Sequence, residues 1–557
     1  MSFGVPDFAI GDGRRFRVSA SQVASRDSFF TCPIGLALRA RQAAQSLQPN
    51  DQSRWRRQWD DATGLHFALR DCYHSVARGG DSITDALARE SNLTHAQRRF
   101  LHHALGLLQD LADVASEAAG VQYEVGDEEF RTETHVGDLE GEVTLFARHL
   151  RTRDGAVHEA VRMRLKQLRP SREGDLDWTA VAALTLGYSP GVEPNARLRI
   201  SEFSLADGEL RCVFDGSRTD AAARHAERGR PVRAAIDGTV FRPGSSCSDC
   251  GFLNVCPAVP QRRGVLGIPG RAVATRSLTA ADLSAYDRCP TAFAAQRRDH
   301  LPDGYAETAD ADAGRAARDR GLAVHSWLRA AHSRTPPQAC THDDLPSPDD
   351  SAVTGVAAEA GLDPDFYRIA YPYLVQHIEH CTLGFDGLGG WTTERRVVVY
   401  DADADLVVIS TPDLTGEIAG TGDPIWRETK TARMIPPDIE AAMYLYPGFA
   451  LNVALLAADA PARLNTGHAE LEILTPVDST VFAVSLDEGA TVAFAQRLVA
   501  DIARKYAADL TFDRKPSGAC FNCPSHRWCD PPTHAFAGAG PAPEVDDAEF
   551  ADFDVPF

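Results

Sequence analysis

The chain has 557 residues, enough for about two to four domains with cores of their own. Its formal net charge is −21, and no stretch approaches the roughly eighteen consecutive apolar residues that a membrane-spanning helix needs. The first twenty residues lack an apolar core, so no secretory signal is expected and the expected location is cytoplasmic, with no membrane partner.

Lysine is nearly absent. Lys166, Lys430, Lys505 and Lys515 are the four present, and the other 53 of the 57 basic residues are arginine. Strong acidity with arginine in place of lysine resembles the proteins of salt-in halophiles such as haloarchaea; an acidic, high-GC mesophile gives the same composition. Acidity does not exclude nucleic acid, because high salt screens long-range attraction and leaves binding to local contacts.

In chain order, residues 14–45 start polar, pass Cys32-Pro33 and enter a helical pattern. Residues 54–119 place apolar side chains at helical spacing and predict several helices. Strands are predicted over 122–170, including 142–149 and 160–168, and two more over 197–215. The segment FRPGSSCSDCGFLNVCP then sets out Cys247, Cys250 and Cys256. A run rich in Pro, Gly and Arg at 259–272 reads as a linker.

The second half repeats the first. Cys289-Pro290 stands where Cys32-Pro33 stood, and Cys520, Cys523 and Cys529 repeat the C-x2-C-x5-C spacing of Cys247, Cys250 and Cys256. Four thiolates of this kind suit tetrahedral zinc or a [4Fe–4S] cluster, and the spacing does not separate the two. Cys72, Cys212, Cys340 and Cys381 fall outside the pattern and are expected to be small buried residues. Segment 333–365 is polar and Pro-rich and is expected to be a mobile loop.

Within the second half, residues 407–450 read as an apolar run, Pro412-Asp413, a Gly-rich turn, a strand at 425–429 and a helix. Alternation along the strand sends Glu428 and Lys430 to one face. Pairing of the two runs as a hairpin would bring Asp413 to them. Two carboxylates and an ammonium suit phosphodiester hydrolysis: the carboxylates hold Mg2+ or Mn2+ and the lysine steadies a water or developing charge. The same three residues would also serve as a plain surface salt bridge. Aligned from the cysteines inward, Arg162 and Arg164 of the first half occupy the places of Glu428 and Lys430, so the first half is expected either to grip phosphates or to act as scaffold. No lysine follows a glycine, so no phosphate-binding loop of a nucleotide-driven motor is present.

Pro412-Asp413, Glu428 and Thr429-Lys430 resemble the PD-(D/E)XK nuclease superfamily. Gly321-x-x-x-His325 and the cysteine distribution resemble its RecB/AddB-like iron–sulfur group, which includes CRISPR-associated RecB-like nucleases. The resemblance implies His325, Asp413, Glu428 and the Thr429 carbonyl as metal ligands, and catalysis by Asp413, Glu428, Lys430 and Tyr444. It matches Glu394, taken to open a strand at 394–400, to the family's preceding acidic residue. It points to Tyr444, with Tyr446 as a second candidate, for the helix tyrosine; the family's glutamine is replaced by Glu440. It implies iron–sulfur ligation by Cys289, Cys520, Cys523 and Cys529, and by Cys32, Cys247, Cys250 and Cys256, giving one or two clusters per chain.

The expected architecture is α/β: two tandem restriction-endonuclease-like domains, each a mixed central sheet flanked by helices and closed by a four-cysteine cluster. Boundaries are expected at 1–258 for a degenerate copy, 259–272 for the linker, 273–535 for the active copy and 536–557 for a disordered acidic tail. The expected function is a metal-dependent deoxyribonuclease, an exonuclease on single-stranded or end-bearing DNA in repair, recombination or defence, with any helicase a separate partner. The alternative is a non-catalytic iron–sulfur or zinc DNA-binding scaffold. The end of the tail resembles the tip of bacterial single-stranded-DNA-binding proteins, which docks repair partners; a solubilising tail is the other reading.

Overall fold

The computed structural model describes residues 14–26, 28, 31–41, 64–90, 93–126, 129–270, 272, 276–305, 309–384, 388–459, 466–517, 520 and 523–529. The expected acidic tail and residues 54–63 of the helical run lie outside these. The chain divides into two compact units, one of residues up to Val259 with Arg298–Asp303, the other of Pro260–Arg297 and the chain from Gly304 onward.

In the first unit the strands are β1 (Arg15–Ser19), β2 (Glu124–Val125), β3 (Glu129–Val136), β4 (Leu139–Phe146), β5 (Arg148–Arg151), β6 (Val157–Arg164), β7 (Arg197–Ser204) and β8 (Leu210–Gly216). One sheet has the order β1-β4-β3 and the other β2-β5-β6-β7-β8. β6 and β7 run parallel at the centre of the larger sheet and are buried nearly end to end, as strands covered on both faces are. Helix α1 (Pro33–Ala40) starts on a proline just after Cys32, where a missing N–H costs nothing. Helix α2 (Glu173–Tyr188) follows β6 and buries Trp178, Val181 and Leu186 in the core. The helical run at 64–119 forms four helices.

In the second unit the strands are β9 (Gln261–Arg262), β10 (Arg276–Thr279), β11 (Leu388–Thr393), β12 (Val397–Asp401), β13 (Leu406–Ser410), β14 (Leu414–Ile418), β15 (Pro424–Thr431), β16 (His468–Leu474) and β17 (Ser479–Ser485). They form sheets of order β10-β13-β12-β9 and β11-β14-β15-β16-β17. Both five-stranded sheets share one pattern of neighbours: antiparallel, antiparallel, parallel, antiparallel. The registers Leu414↔Arg427 and Arg148↔Val161 give the same counting, which sets Arg162, Arg164 and Ala147 in the places of Glu428, Lys430 and Asp413.

Helices α3 (Ala280–Arg288), α4 (Ala309–His332), α5 (Pro364–Ile378), α6 (Ile439–Leu445), α7 (Pro447–Asp459) and α8 (Gly489–Ala508) are among the helices of the second unit. α7 is apolar on nearly all sides and lies in the core with α8. Among the described residues, no single helix is long and apolar enough to cross a membrane.

Several expectations need correction. The supposed linker packs into the second core: Leu266 is fully buried, and Ala272 N donates to Ala404 O at 2.8 Å. Segment 333–365 is not a loose loop. It contributes Cys340, Leu345, Val353 and Ala357 to a small core with α4 and α5, so its few apolar residues outweigh its polar composition. The two runs around Asp413 do not pair with each other. β13 belongs to one sheet, and the hairpin is β14–β15 in the other. Glu394 does not open a strand; it sits in a turn before β12 with φ of 47°. Cys212 is exposed.

Arg162 and Arg164 do not present an open phosphate grip. Their side chains are only 6% and 12% exposed, and both pair with Asp175 of α2 and with Glu202 of β7. Arg162 also stacks over Trp178 at 4.6 Å. Arg162→Ala leaves Asp175 and Glu202 to Arg164 and uncovers the Trp178 face, and should cost the first unit about 1.5–3 kcal/mol. The check is hydrogen exchange of the β6 and β7 amides, which should quicken markedly. Unchanged exchange with weakened DNA binding would restore the phosphate grip.

Candidate active site

The second unit's site begins where β13 ends. Pro412 has no N–H to continue a ladder, so the chain leaves one sheet over 411–413 and enters the other at Leu414. β14 pairs with β15 only as far as Leu414↔Arg427. One step further, the Thr429 amide lacks a strand partner on that side. The Asp413 carboxylate supplies the acceptor, Thr429 N donating to Asp413 Oδ2 at 2.7 Å. Glu394 N donates to the Asp413 carbonyl at 3.1 Å, holding the junction from behind.

The other Asp413 oxygen faces His325 Nδ1 of α4 at 3.1 Å. Burial works against a charged Asp413, but His325, then Lys430 and the Thr429 amide outweigh it and hold the carboxyl below its usual range.

β15 is the central strand of its sheet, and its side chains alternate strictly. Arg427 and Thr429 engage the neighbouring β16: Arg427 pairs with Glu470 at 2.6 Å, and Thr429 Oγ1 donates to Glu472 Oε2 at 3.0 Å. The intervening Glu428 and Lys430 pair with each other, Nζ to Oε1 at 2.9 Å. Asn452 of α7 donates from Nδ2 to Glu428 Oε2 at 3.3 Å, and Ser410 donates to Asn452 Oδ1. Asn452 and Ser410 are both 2% exposed.

The expected site residues thus meet as two adjoining pairs, His325–Asp413 and Glu428–Lys430, on either side of Thr429. Tyr444 stands apart: it is 62% exposed and rests edge-on against Phe494. Tyr446 is buried in the core. Glu440 is exposed, and Glu394 turns to Arg329 at 3.5 Å.

Two carboxylates, an imidazole and a backbone carbonyl suit a hard divalent cation. The observation that fits them to one is the pair of partly buried carboxylates whose oxygens are each held by hydrogen bonds rather than free to swing. Asn452 and Ser410 were not found from sequence. A lone asparagine inside the apolar run FALNVALLAA was the available signal.

The cysteine sets also assemble. In the first unit Cys32, Cys247, Cys250 and Cys256 line a cavity of about 130 Å³ together with Ile34, Leu38 and Phe252. Arg242 N donates to Cys32 Sγ and Gly244 N to Cys247 Sγ, both at 3.4 Å. Burial, and then the neighbouring sulfurs, push Cys247 up to about 12 and Cys250 to about 11. In the second unit Ser517 N and Ser525 N donate to the sulfurs of Cys520 and Cys523 at 3.4 Å. Burial pushes Cys523 up to about 12, with Cys289, Cys520 and Cys529 adding to the effect. Protonated thiols of this kind become good ligands only when a metal displaces the proton.

Asn452→Ala removes the donor that fixes Glu428. Loss of such an outer partner costs about 10–100-fold in metal affinity. Calorimetric titration with Mn2+ should show that weakening, and unchanged affinity would remove Asn452 from the site.

Nothing among the curated proteins matches the chain. Among solved structures, a chain described as "Crystal structure of SSO0001" is similar at 11% identity, covering 43% of this chain and 86% of that one, with a TM-score of 0.20. Residues 277–530, the stretch that carries the paired carboxylates and Lys430, match the sequence model of the PD-(D/E)XK nuclease superfamily.

Proposed function

We propose that residues 273–535 are a Mg2+- or Mn2+-dependent deoxyribonuclease, acting as an exonuclease on single-stranded or end-bearing DNA. The observation that carries this reading is the meeting of His325, Asp413, Glu428 and Lys430 around Thr429 in the stretch that matches the superfamily. His325, Asp413, Glu428 and the Thr429 carbonyl are the residues that would hold the cation. When bound, it supplies Lewis-acid polarisation of the phosphoryl oxygen and a more acidic water. Lys430 carries a compact positive charge beside Glu428 and can orient a water or offset charge developing on the phosphate. Asn452 keeps Glu428 in place. Tyr444, exposed on α6, is left as a contact for the DNA strand rather than a catalytic group.

The first unit, 1–258, is a degenerate copy that serves as scaffold. The shared strand pattern, the shared register and the repeated cysteines support a duplication; Ala147 and the paired arginines support loss of its metal site. Each cysteine set holds a [4Fe–4S] cluster. The doubled C-x2-C-x5-C spacing, each with its distant upstream cysteine, supports this reading. The RecB/AddB-like group and a separate helicase or repair partner belong to this reading. The rival, a non-catalytic DNA-binding scaffold, leaves Lys430 beside Glu428 without a task.

Asp413→Ala and Lys430→Ala should each lower cleavage of end-labelled DNA by at least about 10²–10³-fold, with the fold kept by circular dichroism. Undiminished turnover in either folded variant would defeat the assignment. Anaerobically purified protein should contain iron and acid-labile sulfide; zinc at all eight cysteines without iron would reject the clusters.

A further inference from the structure

A second constellation lies behind the site, in residues that neither the nuclease chemistry nor the repeated cysteines use. His332 ends α4, His377 lies in α5, Cys381 follows α5, and Cys340 belongs to the folded insertion. His332 Nε2 and His377 Nε2 are 3.1 Å apart, and Cys381 Sγ is 3.7 Å from His332 Nε2. The four ligand atoms all lie within 4.8 Å of one another, and among the described residues no other group of His, Cys, Asp and Glu side chains gathers so closely. His377 is fully buried, Cys340 is 4% exposed and Cys381 5%.

We propose that His332, Cys340, His377 and Cys381 form a closed, four-ligand zinc site. Two thiolates balance the charge of Zn2+, and two imidazoles complete the donor set preferred by structural zinc. Tetrahedral bonds of ordinary zinc length set neighbouring ligand atoms roughly 3.3–3.8 Å apart. The two distances above lie at or just below that range, so a small outward shift of the imidazoles admits the ion. His377 supplies the outer partner such sites require: its Nδ1 faces Glu472 Oε1 at 2.9 Å and Oε2 at 3.0 Å, which keeps the proton on Nδ1 and turns the Nε2 lone pair inward. Cys340 N donates to Cys381 Sγ at 3.3 Å, the amide-to-sulfur bond that a thiolate ligand favours.

The ion would be a staple with two arms. One arm is α4, where His325 lies two turns before His332 on the same face. The other runs through His377 and Glu472 to the Thr429 hydroxyl on β15. Zinc would therefore set both α4 and the central strand, the two elements that the proposed metal pocket draws on. The zinc assignment stands by itself; this positioning role rests on the nuclease reading.

The test measures metal rather than cleavage, so the two readings fail separately. Zinc per chain is determined in full-length protein purified without chelator, and in Cys381→Ser, Cys340→Ser and His332→Gln. Each variant should carry about one zinc fewer than the parent, with iron unchanged. Parallel alkylation of the wild type, followed by peptide mass spectrometry, covers the case of variants that do not fold. Cys340 and Cys381 should be protected until a strong chelator is added under native conditions, and then modified together. Equal zinc in parent and variants, protection that chelator does not relieve, or a Cys340–Cys381 disulfide in fresh wild-type protein would each overturn the proposal.

Discussion

The hydrogen bond from the Thr429 amide to Asp413 is the constraint on which the second unit's site depends. A backbone N–H in the middle of a sheet must find an acceptor, and leaving it orphaned costs about 1–3 kcal/mol. The β14–β15 ladder stops at Leu414↔Arg427, short of Thr429, and the Asp413 side chain supplies the acceptor. That single bond fixes the carboxylate against the central strand. Strand parity then does the rest, sending Glu428 and Lys430 to one face and Thr429 with Arg427 to the other. His325 and Lys430 keep the partly buried Asp413 charged, so the bond stays charge-assisted.

The first unit shows the same backbone with the constraint removed. Ala147 stands at the Asp413 place and offers no acceptor. The two positions on β6 are arginines, and acids stand around them: α2 presents Asp175 and β7 presents Glu202, where the second unit has the neutral Asn452 of α7 beside Glu428 and Leu471 of β16 at the Glu202 register position. One strand position has gone from acid to base while the other stays basic, and acids in place of neutral groups around them balance the added charge. Its arginine forks fill the space in which the second unit keeps its paired carboxylates.

Much of this was legible in the sequence because it is local. Strand alternation, the Pro412-Asp413 break, the helix after Cys32 and the doubled cysteine spacing depend on neighbours in the chain, and even the register equivalence of Arg162 and Arg164 with Glu428 and Lys430 followed from counting. The illegible parts are contacts across long separations. Asn452 reaches Glu428 over 24 residues and His377 reaches Glu472 over 95, with no period to announce either. Composition misled where packing outvoted it, as in the polar insertion whose few apolar residues build a core, and in the Pro- and Gly-rich stretch that holds Leu266. The hairpin was misassigned because an apolar run shows that a strand is buried, not which sheet it joins.

The choice between lysine and arginine follows what each pocket must leave available. A guanidinium carries five donors in a rigid fork and binds carboxylates two oxygens at a time. In the first unit Arg162 and Arg164 converge on one oxygen each of Asp175 and Glu202, while Arg172 N donates to the second Asp175 oxygen at 3.2 Å and Arg211 takes the second Glu202 oxygen at 2.7 Å. Lys430 is a point charge on a thin stem. It meets Glu428 through one oxygen at 2.9 Å, while the other takes a longer 3.3 Å bond from Asn452. An arginine at this place would bring further donors to Glu428 and a bulkier planar head into the space beside it. Of its four lysines the chain keeps Lys430 buried, 5% exposed, beside a carboxylate that it meets through a single oxygen.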